Sequence, residues 1–240
     1  MLNRDKRLLT IFSGPPGVGK STYAEALKLT LESKGISSIF IDEFQYFWAS
    51  IMSMNQSDTT LLEWGKPTRE GRVPLHVTDK GYYIAFENTT EGVFKAYKES
   101  SEQLVTTEGA RRIGGYPARL YYQGLIDRIE TDEHLKLNTK LAHVEIRVNN
   151  QKDHILRVDK RSKVKKTAAP VEVLLDYFAE DSSHATAESD ASEFPQFILN
   201  HVLYNDRKAE NERQAQQFAV DEMKGVILQV AHYFNVRDMS

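Results

Sequence analysis

The segment Gly14-Pro15-Pro16-Gly17-Val18-Gly19-Lys20-Ser21 constrains this chain more than any other. It fits the pattern G-x-x-x-x-G-K-[ST]. Before it lies the short apolar run Leu8–Phe12, which reads as a fully buried strand ending at a Gly/Pro cluster. After it, Ser21–Ser33 carries Ala24, Leu27 and Leu31 at near-helical spacing, and Gly35 stops it. Glycines let the backbone curl so that successive N–H groups point inward, and the helix turns the positive end of its dipole toward the same place. Lys20 adds a mobile positive charge, and Ser21 a hydroxyl suited to a hard cation. The spacing predicts a cradle for phosphate oxygens. A Gly-rich turn without a ligand is the bland alternative.

The rest of the chain reads as alternating strands and helices. Ser37–Ile41 is a second apolar strand, and strand–helix–strand favours a parallel sheet. Gln45–Gly81 holds Trp48, Trp64 and a turn-rich stretch, and reads as an irregular insert or cap. Its tryptophans either pack in the cap or stack on a ligand. Glu91–Glu102 reads as an amphipathic helix through Val93, Phe94 and Tyr97. Gln103–Thr107 follows as a third strand, Pro117–Glu130 as a helix and Ala142–Val148 as a strand. Arg157–Lys166 carries six Lys/Arg in ten residues, and Glu180–Glu193 is acidic and Ser/Ala-rich. Gln196–Leu203 reads as the last strand. Ala209–Phe234 reads as one long helix with Phe218, Met223, Val226, Ile227, Val230 and Phe234 as its packing stripe.

The loop and its flanks resemble the Walker A region of the P-loop NTPases, and within them the small-molecule kinases of the nucleoside and nucleotide kinase type. That resemblance implies a three-layer α/β domain spanning 1–240, with a mostly parallel sheet of about five strands. It also implies an inserted acceptor cap at 45–102 and a lid at 157–193. ATP and Mg²⁺ are the implied cofactors. Gly14, Pro15, Pro16, Gly17, Val18, Gly19, Lys20, Ser21 and Thr22 would hold the nucleotide, with Ser21 on the metal. Asp42, ending the second strand, would orient or deprotonate an acceptor, with Glu43 beside it on the substrate. A competing reading makes Asp42-Glu43 a Walker B pair in an ATPase or nucleotide switch, and a third makes Asp42 a helix cap. Glu108 falls where these kinases place an acid near the metal. Arg111 and Arg112 are candidates for an acceptor phosphate, and Arg157 and Arg161 for the transferring one. A solvated turn and a solvated basic face are the alternatives for these four arginines. Asn205-Asp206 resembles the region that holds an adenine edge.

Composition narrows the partners. The 240 residues hold 31 Lys+Arg and 34 Asp+Glu, a formal charge of −3, so a protein built mainly to hold nucleic-acid backbone is not expected. There is no Cys, hence no disulfide framework, thiolate metal site or Cys nucleophile. No run approaches the ~20 apolar residues of a bilayer span, and the first ten residues lack a signal core. The expectation is a soluble cytoplasmic enzyme acting on a small molecule, with no membrane partner and with homo-oligomers left open.

Overall fold

All seven residues of β1, Arg7–Ser13, are buried, because the strand is paired in parallel on both edges. One neighbour is β5 (Gln103–Thr107) and the other β8 (Thr139–Arg147). Beyond them β2 (Ser38–Ile41) pairs with β5, and β9 (Phe197–Tyr204) with β8, also in parallel. The sheet order is β2-β5-β1-β8-β9. The computed structural model describes residues 7–66, 74–100, 102–107, 112–113, 116–117, 119–164, 197–205 and 211–234.

Parallel strands need crossovers, and helices supply them. These are α1 (Lys20–Ser33), α2 (Glu43–Ser53), α3 (Asp79–Glu99), α4 (Arg119–Thr131), α5 (Glu133–Asn138) and α6 (Gln151–Val164). The chain closes with α7 (Glu212–Glu222) and α8 (Lys224–Phe234). Two antiparallel pairs complete the described elements: β3 (Leu62–Trp64) with β4 (Pro74–Val77), and β6 (Arg112–Ile113) with β7 (Tyr116–Pro117). Side chains alternate across the sheet. Leu8, Phe12, Val105, Ala142 and Val144 join α1, α7 and α8 in one core cluster. Leu9, Ile11, Leu104 and Leu141 join α2, α3 and α4 in the other. The protein is therefore a three-layer α/β fold on a parallel sheet.

The sequence reading meets the structure closely along the sheet and less so in three places. Gly35, at φ 76°, ends α1 as expected. The Gly35 N–H donates to Glu32 O and the Ile36 N–H to Leu31 O, the paired bonds of a Schellman cap. The helix expected from Glu91 starts twelve residues earlier, at Asp79. Thr78 caps it through Gly81 N, and Gly81 is required because a Cβ there would stand 2.1 Å from Leu61 O. The single C-terminal helix is two, with Met223 between them and fully buried. Ala219 rather than Phe218 takes the buried position. Trp64 packs beside the second cluster, but Trp48 is 43% exposed and stacks on Phe44 at 6.4 Å. No helix among the described residues is long and apolar enough to cross a membrane.

At the end of the sheet opposite the loop, Arg7 closes α3. Its Nη2 donates to Tyr97 O and, at 2.7 Å, to Ser100 O, and its guanidinium lies 3.9 Å from the centre of the Tyr97 ring. The Tyr97 hydroxyl pairs with Thr139 Oγ1, and burial pushes its pKa up to about 12. An unfolded tyrosine ionises near 10, so the folded state resists losing this proton. Stability from Tyr97 is complete below pH ~10 and drains away as the pH rises from there towards 12, by on the order of 2 kcal/mol. Melting temperature followed from pH 8 to 12 should fall more steeply in the wild type than in Tyr97→Phe. Parallel curves would contradict this.

Candidate active site

The chain leaves β1 at Ser13, whose hydroxyl meets His143 Nε2 of β8 at 2.7 Å, and enters the glycine loop. Gly14, Gly17 and Gly19 all have positive φ, at 141°, 75° and 104°. Each also lies against a neighbour. A Cβ on Gly14 would fall 2.3 Å from Ile146 O, one on Gly17 2.7 Å from Val158 Cγ2, and one on Gly19 3.1 Å from Asn205 Nδ2. Strain and space together reserve these three positions for glycine. The loop ends in α1, whose first hydrogen bond runs from Tyr23 N to Gly19 O. The N–H groups of Ser21 and Thr22 lie ahead of it in the first turn of the helix. Lys20 curls over the loop, its Nζ donating to Gly14 O at 2.8 Å and Pro15 O at 3.1 Å. The Ser21 side chain is exposed at the mouth.

Asp42 stands at the carboxyl end of β2, two strands from β1. With ~4.8 Å per strand step, the two strand ends lie about 10 Å apart. Asp42 is the N-cap of α2: its Oδ1 accepts from Phe44 N at 3.1 Å, and Thr107 Oγ1 lies 3.5 Å from the same oxygen. Among the described residues no hydrogen bond reaches Oδ2. Glu43 is 3% exposed in the first turn of α2. The Phe44 and Trp48 rings follow on the outer side of that helix, both exposed.

Arg157 belongs to α6, which lies against the glycine loop. Val158 packs under Gly17, and His154, 1% exposed, donates from Nε2 to Pro16 O at 2.9 Å. Arg157 Nη2 reaches His154 Nδ1 at 3.4 Å and Asn205 O at 3.5 Å. Asn205, expected near an adenine edge, donates from Nδ2 to Val18 O at 2.7 Å. Arg112 lies in β6 and Arg161 in α6, with side chains outside the described residues. Glu108, Arg111, Asp206 and the acidic stretch 180–193 lie outside them altogether. Sequence reasoning missed His154. Its signal was helical spacing, since 154, 157 and 158 share a face once α6 is known to start at Gln151.

No protein-family model matches the chain, and no curated protein matches it by sequence. Solved structures do match. A fungal RNA kinase superposes with a TM-score of 0.50 at 14% identity, over 98% of this chain and 91% of that one. The likeness is one of fold: this chain shares that kinase's α/β architecture. Two further structures with weaker superposition are an APS kinase and a sugar kinase. The APS kinase, from Mycobacterium tuberculosis in complex with AMPPNP and APS, has a TM-score of 0.45 at 14% identity, covering 91% of this chain and 98% of that one. The sugar kinase, from a Janibacter species, has 0.42 at 15%, covering 91% and 94%. Within this fold, the glycine loop sits where β1 switches between its two neighbours, the place where open α/β sheets bind ligands.

Two glycines separate strain from crowding. Gly35→Ala meets nothing within 4 Å and should cost about 1 kcal/mol for its positive φ alone. Gly14→Ala adds a collision with backbone and should cost at least about 2 kcal/mol. Chemical denaturation of both variants checks this. Equal losses would mean that crowding at Ile146 is not what reserves Gly14.

Proposed function

We propose that this chain is an ATP-dependent phosphotransferase that moves the γ-phosphate to a small-molecule acceptor, with a nucleoside or nucleoside monophosphate as the leading class. One observation carries the reading: a glycine cradle after β1 and a carboxylate at the end of β2 face the same edge of the sheet, separated by a single strand. That gap suits a hydroxyl approaching a terminal phosphate.

The chain's own groups fit the nucleotide. Pro15 and Pro16 carry no N–H and Val18 N–H donates to Pro15 O, so the donors proposed for phosphate are those of Gly17, Gly19, Ser21 and Thr22, with the Lys20 ammonium beside them. Among the described residues no three His, Asp or Glu side chains gather as a metal site. Mg²⁺ needs none, because it takes one or two protein oxygens and completes its shell with phosphate and water. The exposed Ser21 hydroxyl is such an oxygen, and the ion would supply neutralisation of charge on the β- and γ-phosphates.

In the proposed step, Asp42 Oδ2 accepts a hydrogen bond from the acceptor hydroxyl. The acceptor oxygen bonds to the γ-phosphorus as the bond from that phosphorus to the β–γ bridging oxygen breaks. ADP leaves with the bond's electron pair, and Asp42 takes the hydroxyl proton. Lys20 stabilises charge on the transferring group. Arg161, from α6, would add to it, Arg157 being held behind the loop by His154 and Asn205, and Glu108 would support the metal's water shell. Glu43, Arg111 and Arg112 would bind the acceptor. The exposed Phe44–Trp48 stack beside Asp42 supports a planar base on that acceptor.

The test is ADP release with Mg²⁺·ATP across nucleosides, nucleoside monophosphates, sugars and a short RNA, the last because the fungal RNA kinase shares the fold. One acceptor should raise the rate well above the acceptor-free baseline, and a panel that leaves it unmoved ends the proposal. Asp42→Asn separates cap from base, since Asn caps helices as well as Asp. It should melt like the wild type while acceptor-dependent turnover falls about a hundredfold or more. Asp42→Ala should also lose about 1 kcal/mol of stability. Acceptor-independent hydrolysis that collapses in Glu43→Gln would instead favour the ATPase reading.

A further inference from the structure

The geometry points to His154 and Asn205 as positioning residues that aim two N–H donors of the glycine loop at the phosphates from behind. This rests on the nucleotide-binding reading above. The donors of the loop fall into two groups. Those of Lys20, Ser21 and Thr22 belong to the first turn of α1, and the helix orients them. Those of Gly17 and Gly19 belong to residues at φ 75° and 104°, outside the helix. A turn closed by Val18 N–H on Pro15 O at 3.3 Å spans Gly17, and side chains from outside the loop hold the carbonyls that precede both donors.

A trans peptide is planar, so the C=O of one residue points opposite to the N–H of the next. No peptide bond in the chain's described residues is cis. The carbonyl that shares a plane with Gly17 N–H is that of Pro16, and the one that shares a plane with Gly19 N–H is that of Val18. Side chains from outside the loop hold both of these carbonyls. His154 Nε2 donates to Pro16 O at 2.9 Å, and Asn205 Nδ2 donates to Val18 O at 2.7 Å. Each bond draws one carbonyl toward α6 or the end of β9 and so turns the following N–H away from them, into the curl where Lys20 lies.

The chemistry of the two residues agrees. A carbonyl only accepts, so His154 must carry its proton on Nε2. The Arg157 guanidinium, 3.4 Å from Nδ1, only donates, which leaves Nδ1 as an acceptor and favours that tautomer. The same Arg157 Nη2 lies 3.5 Å from Asn205 O, so one cation braces both arms. His154 is 1% exposed, consistent with a fixed ring rather than one that reaches a substrate. Asn205 is seated by its own N–H, which donates to Arg147 O at 2.9 Å.

The test uses the full chain and two probes, Mg²⁺·ATP and inorganic tripolyphosphate, titrated by calorimetry into wild type, His154→Leu, His154→Gln and Asn205→Ala, each checked for a cooperative melt. His154→Leu and Asn205→Ala should each weaken both probes by about tenfold, the worth of one misaimed hydrogen bond. His154→Gln, which keeps a donor, should recover most of the loss for both. If Asn205→Ala weakens ATP but leaves tripolyphosphate unchanged, Asn205 acts on the base and the inference is wrong. It is equally wrong if neither probe responds to either substitution, or if His154→Gln is as weak as His154→Leu. A folded wild type that binds neither probe overturns the nucleotide-binding reading itself, a distinct failure.

Discussion

Pairing of β1 with parallel neighbours on both edges is the constraint on which the rest of the structure depends. It buries every residue of the strand, so the run Leu8–Phe12 is apolar except at Thr10. It forces each connection to cross back over the sheet, which builds the two helical layers and their separate cores. It also puts the carboxyl ends of β1, β2, β5, β8 and β9 on one edge. A glycine loop leaving the middle strand and a carboxylate leaving an outer one then meet across a gap set by strand spacing.

The loop itself is held by opposing demands. Its three positive-φ glycines store conformations that other residues resist, and each is pressed by a neighbour from β8, α6 or the end of β9. Its two prolines remove two N–H donors, and Lys20 holds the carbonyls that share their peptide planes. A chain whose formal charge is −3 overall still brings Lys20 and the start of α1 together at the loop. Neutral composition argued against a nucleic-acid surface, while the local field is what matters for phosphate.

The central strands and the glycine loop were legible because their signals are local. Gln103–Thr107 is read with its observed bounds, and Leu8–Phe12 falls one residue short at each end. What escaped depends on tertiary contact. The start of α3 is obscured by Gly81, which looks like a helix breaker in sequence and is there to let the helix pass Leu61 O. The turn at Met223 lies inside an unbroken apolar stripe, so periodicity alone runs straight through it. At Asp42 the cap reading and the site reading compete in sequence, yet one carboxylate leaves room for both: Oδ1 caps α2, and the proposed acceptor contact uses Oδ2. His154 belongs to no motif, and its meaning comes only from the carbonyl it reaches. Asn205 was noticed for its place after a strand, but its amide turns to the loop.

The fate of the γ-phosphate tests the account most directly. Phosphorus NMR of a reaction containing Mg²⁺·ATP, the protein and the acceptor that most raises ADP release resolves a new phosphoester from free inorganic phosphate. The account predicts that a phosphoester or phosphoanhydride resonance on the acceptor grows in step with ADP and disappears in Asp42→Asn. Growth of inorganic phosphate alone, at the same rate with and without the acceptor, would contradict it.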